Sequence, residues 1–213
     1  MIELKNPPIF VTGCARSGTS LVTGIFAHCG AWCGKVAGAQ PHNPKGQFEN
    51  TEIRNGILKP LLVSLDADKL GQKPLPDINK VFLECGKMQG NKGIEELRHK
   101  VHNCFLKQGF WQEHQLIYKG AKLCLIWPVW HILYKNPKWI IVRRKDDDIA
   151  KSCMNTVFMR AYSSVEGWKG WVDHHKDRFN EMMEYCGAVQ LWSEDIVAGN
   201  FGPIREVVES TGL

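Results

Sequence analysis

The sequence of 213 residues has no apolar run long enough to cross a bilayer. Its longest apolar stretch, residues 123–134, is interrupted by Pro128 and His131. We also expect no secretory leader, because the charged residues Glu3 and Lys5 closely follow the first methionine. We therefore expect a cytoplasmic protein with no membrane span.

Two further absences concern partners and redox state. The net charge of +5 is not concentrated in a long basic run, so we expect an anionic ligand rather than nucleic acid. None of the eight cysteines forms a C-x-x-C pair, which favours buried thiols in a reducing compartment over a zinc site. Cys14 is the exception, because it lies in a loop with anion-binding features, and its thiol is a candidate for reactivity.

The first informative motif begins at residue 9. An apolar run at residues 9–11 predicts a buried strand, and apolar residues at helical spacing from Leu21 to Cys29 predict a helix. The loop between them is bounded by Gly13 and Gly18, which let backbone N–H groups point inward beside the helix N-terminus. A strand, a glycine-bounded loop and a helix in this order predict an anion-binding site.

This loop departs from the nucleoside-triphosphate pattern G-x-x-x-x-G-K-[ST]. Thr19 occupies the position of the lysine, and the cation lies inside the loop at Arg16. The loop can therefore neutralise an anion, but the usual chemistry of ATP with magnesium is not expected. The alternative is a plain glycine turn with Arg16 in solvent.

A second motif follows the strand predicted at residues 138–142. Arg143 and Arg144 lie at its carboxyl end, where ligands bind in open α/β sheets. Ser152 lies eight residues after Arg144, on the helix that follows. The three aspartates at residues 146–148 are better explained by the dipole of that helix than by a metal, so we predict no metal site. Two surface arginines at a strand end are the alternative.

Strands that alternate with helices predict an α/β fold with a parallel sheet. The strands are expected at residues 9–11, 116–118, 138–142 and 188–192, with a brief further strand at residues 31–33. We expect one domain spanning residues 1–213. Residues 66–93 are hard to assign, and residues 80–84 fit either a strand or a helix.

Both motifs resemble those of sulfotransferases that use 3′-phosphoadenosine 5′-phosphosulfate (PAPS). Residues 13–20, GCARSGTS, resemble the family's 5′-phosphosulfate loop, and residues 144–152 are similar to its 3′-phosphate element, with Asp146 in place of the usual proline. The resemblance implies a three-layer P-loop-type fold, PAPS as donor and adenosine 3′,5′-bisphosphate as product. It assigns nucleotide binding to Arg16, Ser17, Gly18, Thr19, Ser20, Arg144 and Ser152, with Arg143 as a competitor of Arg144.

Two weaker similarities concern catalysis. Residues 43–50, NPKGQFEN, resemble the N-x-x-G-x-F-E segment of bacterial and protein-modifying sulfotransferases, whose glutamate is the general base. This implies Glu49 as the base, although the residues Phe-Glu-Asn at 48–50 also fit a helix N-terminal cap pattern. If Glu49 is not the base, Glu52 and then His114 are the next candidates.

A lysine after the strand that precedes the 3′-phosphate element reaches the donor's bridging oxygen in the family. Lys119 matches that lysine, with Lys122 as the alternative because Gly120 replaces the family's following proline.

The expected function is sulfuryl transfer to a hydroxyl acceptor of unknown class. The alternative is a nucleotide or small-molecule kinase with a degenerate phosphate loop. A kinase needs a carboxylate for magnesium at a strand end, and no predicted strand clearly ends in aspartate.

Overall fold

The computed structural model describes residues 4–40 and 43–213, and its centre is a four-stranded sheet. The strands are β1 (Ile9–Thr12), β2 (Ile117–Lys119), β3 (Lys138–Arg143) and β4 (Val189–Trp192). Their order is β2-β1-β3-β4, and every pairing is parallel. The predicted α/β fold with a central parallel sheet is confirmed.

Helices lie on both sides of this sheet. In chain order they are α1 (Thr19–His28), α2 (Thr51–Ile53), a π-helical turn (Arg54–Leu58), α3 (Lys59–Ser64), α4 (Ile78–Gly90), α5 (Gly93–Lys107), a 3-10 turn (Leu123–Ile126), α6 (Trp127–Ile132), α7 (Asp146–Met154), α8 (Val165–Cys186), α9 (Ser193–Val197) and α10 (Gly202–Glu209). Within the described parts of the chain, none of them combines the length and apolarity needed to cross a membrane.

Alternating strand residues build two cores, one on each face of the sheet. Ile9 and Val11 pack with α1, α9 and α10, whereas Phe10 and Trp139 pack with the helices from α2 to α8. All four residues of β1 are buried, as expected for a parallel strand covered on both faces. The result is the predicted three-layer arrangement.

Two ambiguous segments are settled by the structure. Residues 80–84 lie in α4, whose first turn is capped by Asp77 accepting a hydrogen bond from the Asn79 N–H. The brief strand expected at residues 31–33 is reduced to one bridge between Trp32 and Leu116.

The helical run from residue 51 to residue 64 contains an irregularity that shapes the site. Pro60 has no N–H to donate to the carbonyl of Gly56, so regular α-helical bonding is interrupted there. The Lys59 N–H donates instead to the carbonyl of Arg54, five residues earlier. This π-helical turn is the kind of irregularity often found at functional sites.

Candidate functional site

Three neighbouring strands end at one edge of the sheet, and a cleft of about 470 Å³ opens there. In the sheet register, Val11 pairs with Lys119 of β2 and with Ile140 of β3. The loop after β1, the end of β2 and the residue after β3 therefore meet, although they are far apart in sequence. This is the edge at which open α/β sheets bind their ligands.

The loop after β1 is tightly packed. A Cβ on Gly13 would lie 2.4 Å from the Val142 carbonyl oxygen, and one on Gly18 would lie 2.8 Å from Ser193 Cβ. Arg16 adopts a φ of 74°, which is uncommon for a residue other than glycine. Such strain persists only where the surroundings impose it, and it clusters at ligand-binding sites.

Most of the predicted loop residues line the cleft. Arg16, Gly18, Thr19 and Ser20 do so directly. Ser17 is fully buried behind them, and its hydroxyl has no hydrogen-bond partner among the described residues. A buried hydroxyl without a partner is costly unless a ligand supplies one.

We expect Gly13→Ala to lower the free energy of unfolding by about 2–3 kcal/mol, as overpacking against backbone commonly does. Its φ of 152° also disfavours a side chain. Gly170→Ala in α8 is the control, because a Cβ there meets no atom within 4 Å. Urea denaturation measures both variants, and equal losses would show that the loop is not closely packed.

The reactivity suggested for Cys14 is contradicted. Its residue is only 1% exposed, and burial, together with the nearby Cys124 thiol, raises the pKa of the Cys14 thiol well above its ordinary value. The side chain is therefore a protonated core thiol and not a nucleophile.

Arg144 and Ser152 both meet the loop through Arg16. Arg144 lines the cleft, and its Nη1 donates to the carbonyl oxygen of Arg16 at 3.1 Å. The Arg16 Nε donates to Ser152 Oγ at 2.9 Å. The two sequence motifs are thus joined into one polar surface.

Arg143, the competitor of Arg144, points elsewhere. Its guanidinium lies over the rings of Phe179 and Trp192, with 5.4 and 5.3 Å to the two centroids. It also donates to Gln190 Oε1 at 2.6 Å. Arg143 is therefore absent from the described lining of the cleft, where Arg144 is present.

Glu49 is a buried carboxylate in the wall of the cleft. The residue is 7% exposed, and its Oε2 lies 3.3 Å from Arg54 Nη1. Its Oε1 has no hydrogen-bond partner among the described residues. The N-cap interpretation is also correct for the next residue, because Asn50 Oδ1 accepts from the Ile53 N–H at 3.2 Å.

The two reserve bases lie outside the described lining of the cleft. Glu52 is exposed and accepts a hydrogen bond from Cys104 Sγ at 3.3 Å. His114 stacks against Trp32, and its Nδ1 accepts from the Trp111 N–H at 3.1 Å. Of the three candidate bases, Glu49 is the one among the described lining residues of the cleft, and its role as a base stays a prediction.

Lys119 connects the loop with the segment that carries Glu49. Its Nζ donates to the Gln47 carbonyl oxygen at 3.0 Å and to Ser20 Oγ at 3.4 Å. Ser20 Oγ donates to the same carbonyl at 2.9 Å and accepts from Asn43 Nδ2 at 3.0 Å. The lysine is 7% exposed, so its charge acts in a poorly solvated place.

The charges of the cleft keep Glu49 ionised. Burial alone would raise the pKa of Glu49, but the cations Lys119, Lys122 and Arg54 outweigh it and hold that pKa below its ordinary value. Burial lowers the pKa of Lys119, which Glu49 partly opposes. Glu49 is therefore best described as an ionised carboxylate held among cations.

Comparison with known proteins establishes the fold. No protein-family model matches the sequence, and no curated protein matches it. The structure is similar to the sulfotransferase domain from the Synechococcus PCC 7002 olefin synthase, with a TM-score of 0.59 and 15% sequence identity. The likeness covers 99% of this chain and 74% of that one.

The chain has the fold of a sulfotransferase domain. At this level of identity the likeness extends to the fold alone, so the chemistry must be argued from the side chains of the cleft.

On this sulfotransferase fold, the cleft carries cations that the sequence did not reveal. Arg54 and Lys59 line it, as does Lys122, which was only the alternative to Lys119. Residues five apart on an α-helix face different directions, and only the π-helical turn brings Arg54 and Lys59 to one cleft. In the sequence, Gly56 and Pro60 interrupt the helical spacing of this segment, but they do not show which side chains reach the cleft.

The aspartates at the start of α7 have lysine partners on α8. Asp146 pairs with Lys176, and Asp147 pairs with Lys169 at 2.9 Å. Within residues 4–40 and 43–213, no three His, Cys, Asp or Glu side chains are grouped to hold a metal ion. All three aspartates lie in the first turn of α7, where the helix-dipole explanation expects them. That explanation and a reaction without a metal both remain predictions.

Proposed function

We propose that this chain transfers a sulfuryl group from PAPS to a hydroxyl acceptor. One observation carries the proposal: the anion loop, Arg144 and the Glu49–Lys119 pair line the same cleft. The loop and Arg144 fit the two charged ends of the donor, and Glu49 fits the acceptor side.

The 5′-phosphosulfate would be held by the loop and by the N-terminus of α1. The unpartnered hydroxyl of Ser17 fits an anion acceptor, and the close packing at Gly13 and Gly18 leaves the backbone as the inner surface of the loop. Thr19 and Ser20 add hydroxyl groups at the start of α1.

The 3′-phosphate would be bound by Arg144 and Ser152. An arginine can contact phosphate through two N–H groups at once, which fixes the register of the nucleotide. Arg16 contacts both residues, so it is placed to serve the two phosphate subsites together.

Glu49 would accept the proton of the acceptor hydroxyl while the hydroxyl oxygen forms its bond to sulfur. The bond from sulfur to the bridging phosphate oxygen breaks, and the nucleotide leaves as adenosine 3′,5′-bisphosphate. Lys119 would stabilise the charge that develops on that leaving oxygen. A sulfuryl group carries less charge than a phosphoryl group, so we predict that no metal is needed.

The depressed pKa of Glu49 makes it a weak base when the cleft holds only its own charges. An anionic donor would neutralise part of the field of Lys119, the first of the cations that depress the pKa of Glu49. The pKa of Glu49 then rises toward the range in which a carboxylate is an effective general base. Donor binding would thus make Glu49 a stronger base.

The test is a comparison of two nucleotides. Adenosine 3′,5′-bisphosphate without magnesium is expected to stabilise the protein by roughly 2.7 kcal/mol at a hundredfold excess over its Kd. ATP with magnesium should stabilise it much less, because Thr19 replaces the lysine of the nucleoside-triphosphate loop. Thermal unfolding measures both, and the reverse order would favour the kinase alternative.

Transfer of labelled sulfate from PAPS to a panel of hydroxyl compounds then tests the reaction itself. Tight binding of the bisphosphate without turnover on any acceptor would indicate a nucleotide-binding module without catalysis.

Three broader expectations belong to the same proposal: one domain spanning residues 1–213, a cytoplasmic location and no nucleic-acid partner. All eight cysteines are free thiols, which suits a reducing compartment.

A further inference from the structure

Three of the cations that line the cleft lie close enough to Glu49 to interact with its charge. Arg54 and Lys59 come from the helical run after Glu49, and Lys122 comes from the turn after β2. Arg54 is paired with Glu49. Within residues 4–40 and 43–213, Lys59 and Lys122 belong to no ion pair.

These cations are close enough to repel one another. Burial lowers the pKa of Lys59, and the charges of Arg54 and Lys122 lower it further, against the opposing effect of Glu49. Glu49 balances only part of this positive charge, because its ion pair is with Arg54. Excess like charge destabilises a fold, so the group is best explained by an anion that it binds.

The position of Lys122 is built into the fold. The buried hydroxyl of Thr12 donates to the Gly120 carbonyl at 3.0 Å and accepts from the Cys124 N–H at 3.1 Å. These two hydrogen bonds hold the turn between Gly120 and Cys124 against the end of β1. The Lys122 stem packs beside Gly71, where an added Cβ would lie 3.3 Å from Lys122 Cγ.

The loop that carries Gly71 is itself held in place. The Trp171 Nε1 donates to the Gly71 carbonyl at 3.0 Å. Gln72 is 3% exposed, and its Nε2 donates to the Phe158 carbonyl at 2.7 Å. Leu70 and Phe158 therefore form an apolar lip on the cleft beside the cations.

The donor does not account for these lysines. Its two charged ends are assigned to the loop with Arg16 and to Arg144 with Ser152, and Lys119 faces the bond that breaks. Lys59 interacts with the charge of Glu49, and a general base faces the acceptor. An anion at Lys59 and Lys122 must then belong to the acceptor.

We propose that the acceptor is a hydroxyl compound with its own anionic group, a phosphate, sulfate or carboxylate, which Lys59, Lys122 and Arg54 bind. This inference rests on the proposed sulfuryl transfer, because that reaction defines the acceptor side of the cleft. The anionic group holds the acceptor while its hydroxyl lies against Glu49.

The experiment uses inorganic phosphate as the probe. The protein is first saturated with adenosine 3′,5′-bisphosphate, and phosphate is then titrated at constant ionic strength while protein NMR signals are followed. We expect saturable phosphate binding that Lys59→Gln weakens by about tenfold, as expected for the loss of a charge-assisted contact.

Lys69→Gln is the matched control. Lys69 contributes to the field at Lys59, but it is exposed and is not among the residues that line the cleft. It removes the same charge and should leave phosphate binding nearly unchanged. Unchanged affinity of the Lys59→Gln protein for the bisphosphate would show that its fold is intact.

The outcomes separate the two proposals. No saturable phosphate binding, or equal losses in the two variants, would overturn the anionic acceptor while the nucleotide site stands. Failure of the bisphosphate to bind the unmodified protein counts against the proposed function itself.

Discussion

Replacing Glu49 with glutamine is expected to lower the rate of sulfuryl transfer by about 10²–10⁴-fold, the usual effect of removing a positioned general base. Glutamine keeps the shape of the side chain but cannot accept the proton of the acceptor hydroxyl. The loss should appear in kcat, measured as transfer of labelled sulfate from PAPS, or as slow donor hydrolysis by water if no acceptor is known.

Two controls make this result specific. Glu52→Gln removes a carboxylate three residues away that contacts Cys104 and lies outside the described lining of the cleft, so its rate should be close to that of the unmodified protein. Binding of adenosine 3′,5′-bisphosphate to Glu49→Gln should remain within a few-fold, which shows that the cleft has folded. Full turnover by Glu49→Gln would exclude it as the base.

Arg144→Ala should weaken binding of adenosine 3′,5′-bisphosphate by about 2–4 kcal/mol, because a charge-assisted contact is lost and the phosphate is left poorly paired. Adenosine 5′-phosphosulfate lacks the 3′-phosphate, so its affinity should change little. Calorimetry with the two ligands measures the difference directly.

Arg143→Ala is the neighbouring control. It removes an equal charge one residue away, from a guanidinium that lies over Phe179 and Trp192. The affinity for the bisphosphate should therefore be almost unchanged. If Arg143→Ala and Arg144→Ala cause equal losses, or if both ligands suffer equally from Arg144→Ala, then Arg144 does not bind the 3′-phosphate.

The parts of the site that the sequence predicted are those encoded by local patterns. The loop at residues 13–20 follows from glycine spacing between a strand and a helix. The strand end indicated both Arg143 and Arg144, and the eight-residue spacing to Ser152 in the family resemblance favoured Arg144. Both features are set by short-range geometry, which sequence patterns can indicate; their roles in ligand binding remain predictions.

The remaining parts depend on packing between distant segments. Whether Glu49 or Glu52 faces the cleft is decided by α5, whose Cys104 contacts Glu52. The contributions of Arg54 and Lys59 depend on the π-helical turn, which no helical periodicity predicts. Such features require the tertiary structure because each residue's neighbours come from elsewhere in the chain.

The register of the sheet also has a consequence for synthesis. Ile9 of β1 pairs with Ile117 and with Lys138, so the central strand has no partner until more than half of the chain has been made. Until then β1 is an unpaired apolar edge, which is a hazard for aggregation. Loop closure over such separations also slows folding.

A nascent chain that ends before β3 therefore lacks both Arg144 and Ser152, the residues proposed to bind the 3′-phosphate. If the proposed site is correct, adenosine 3′,5′-bisphosphate can stabilise the chain only after these two residues have been made.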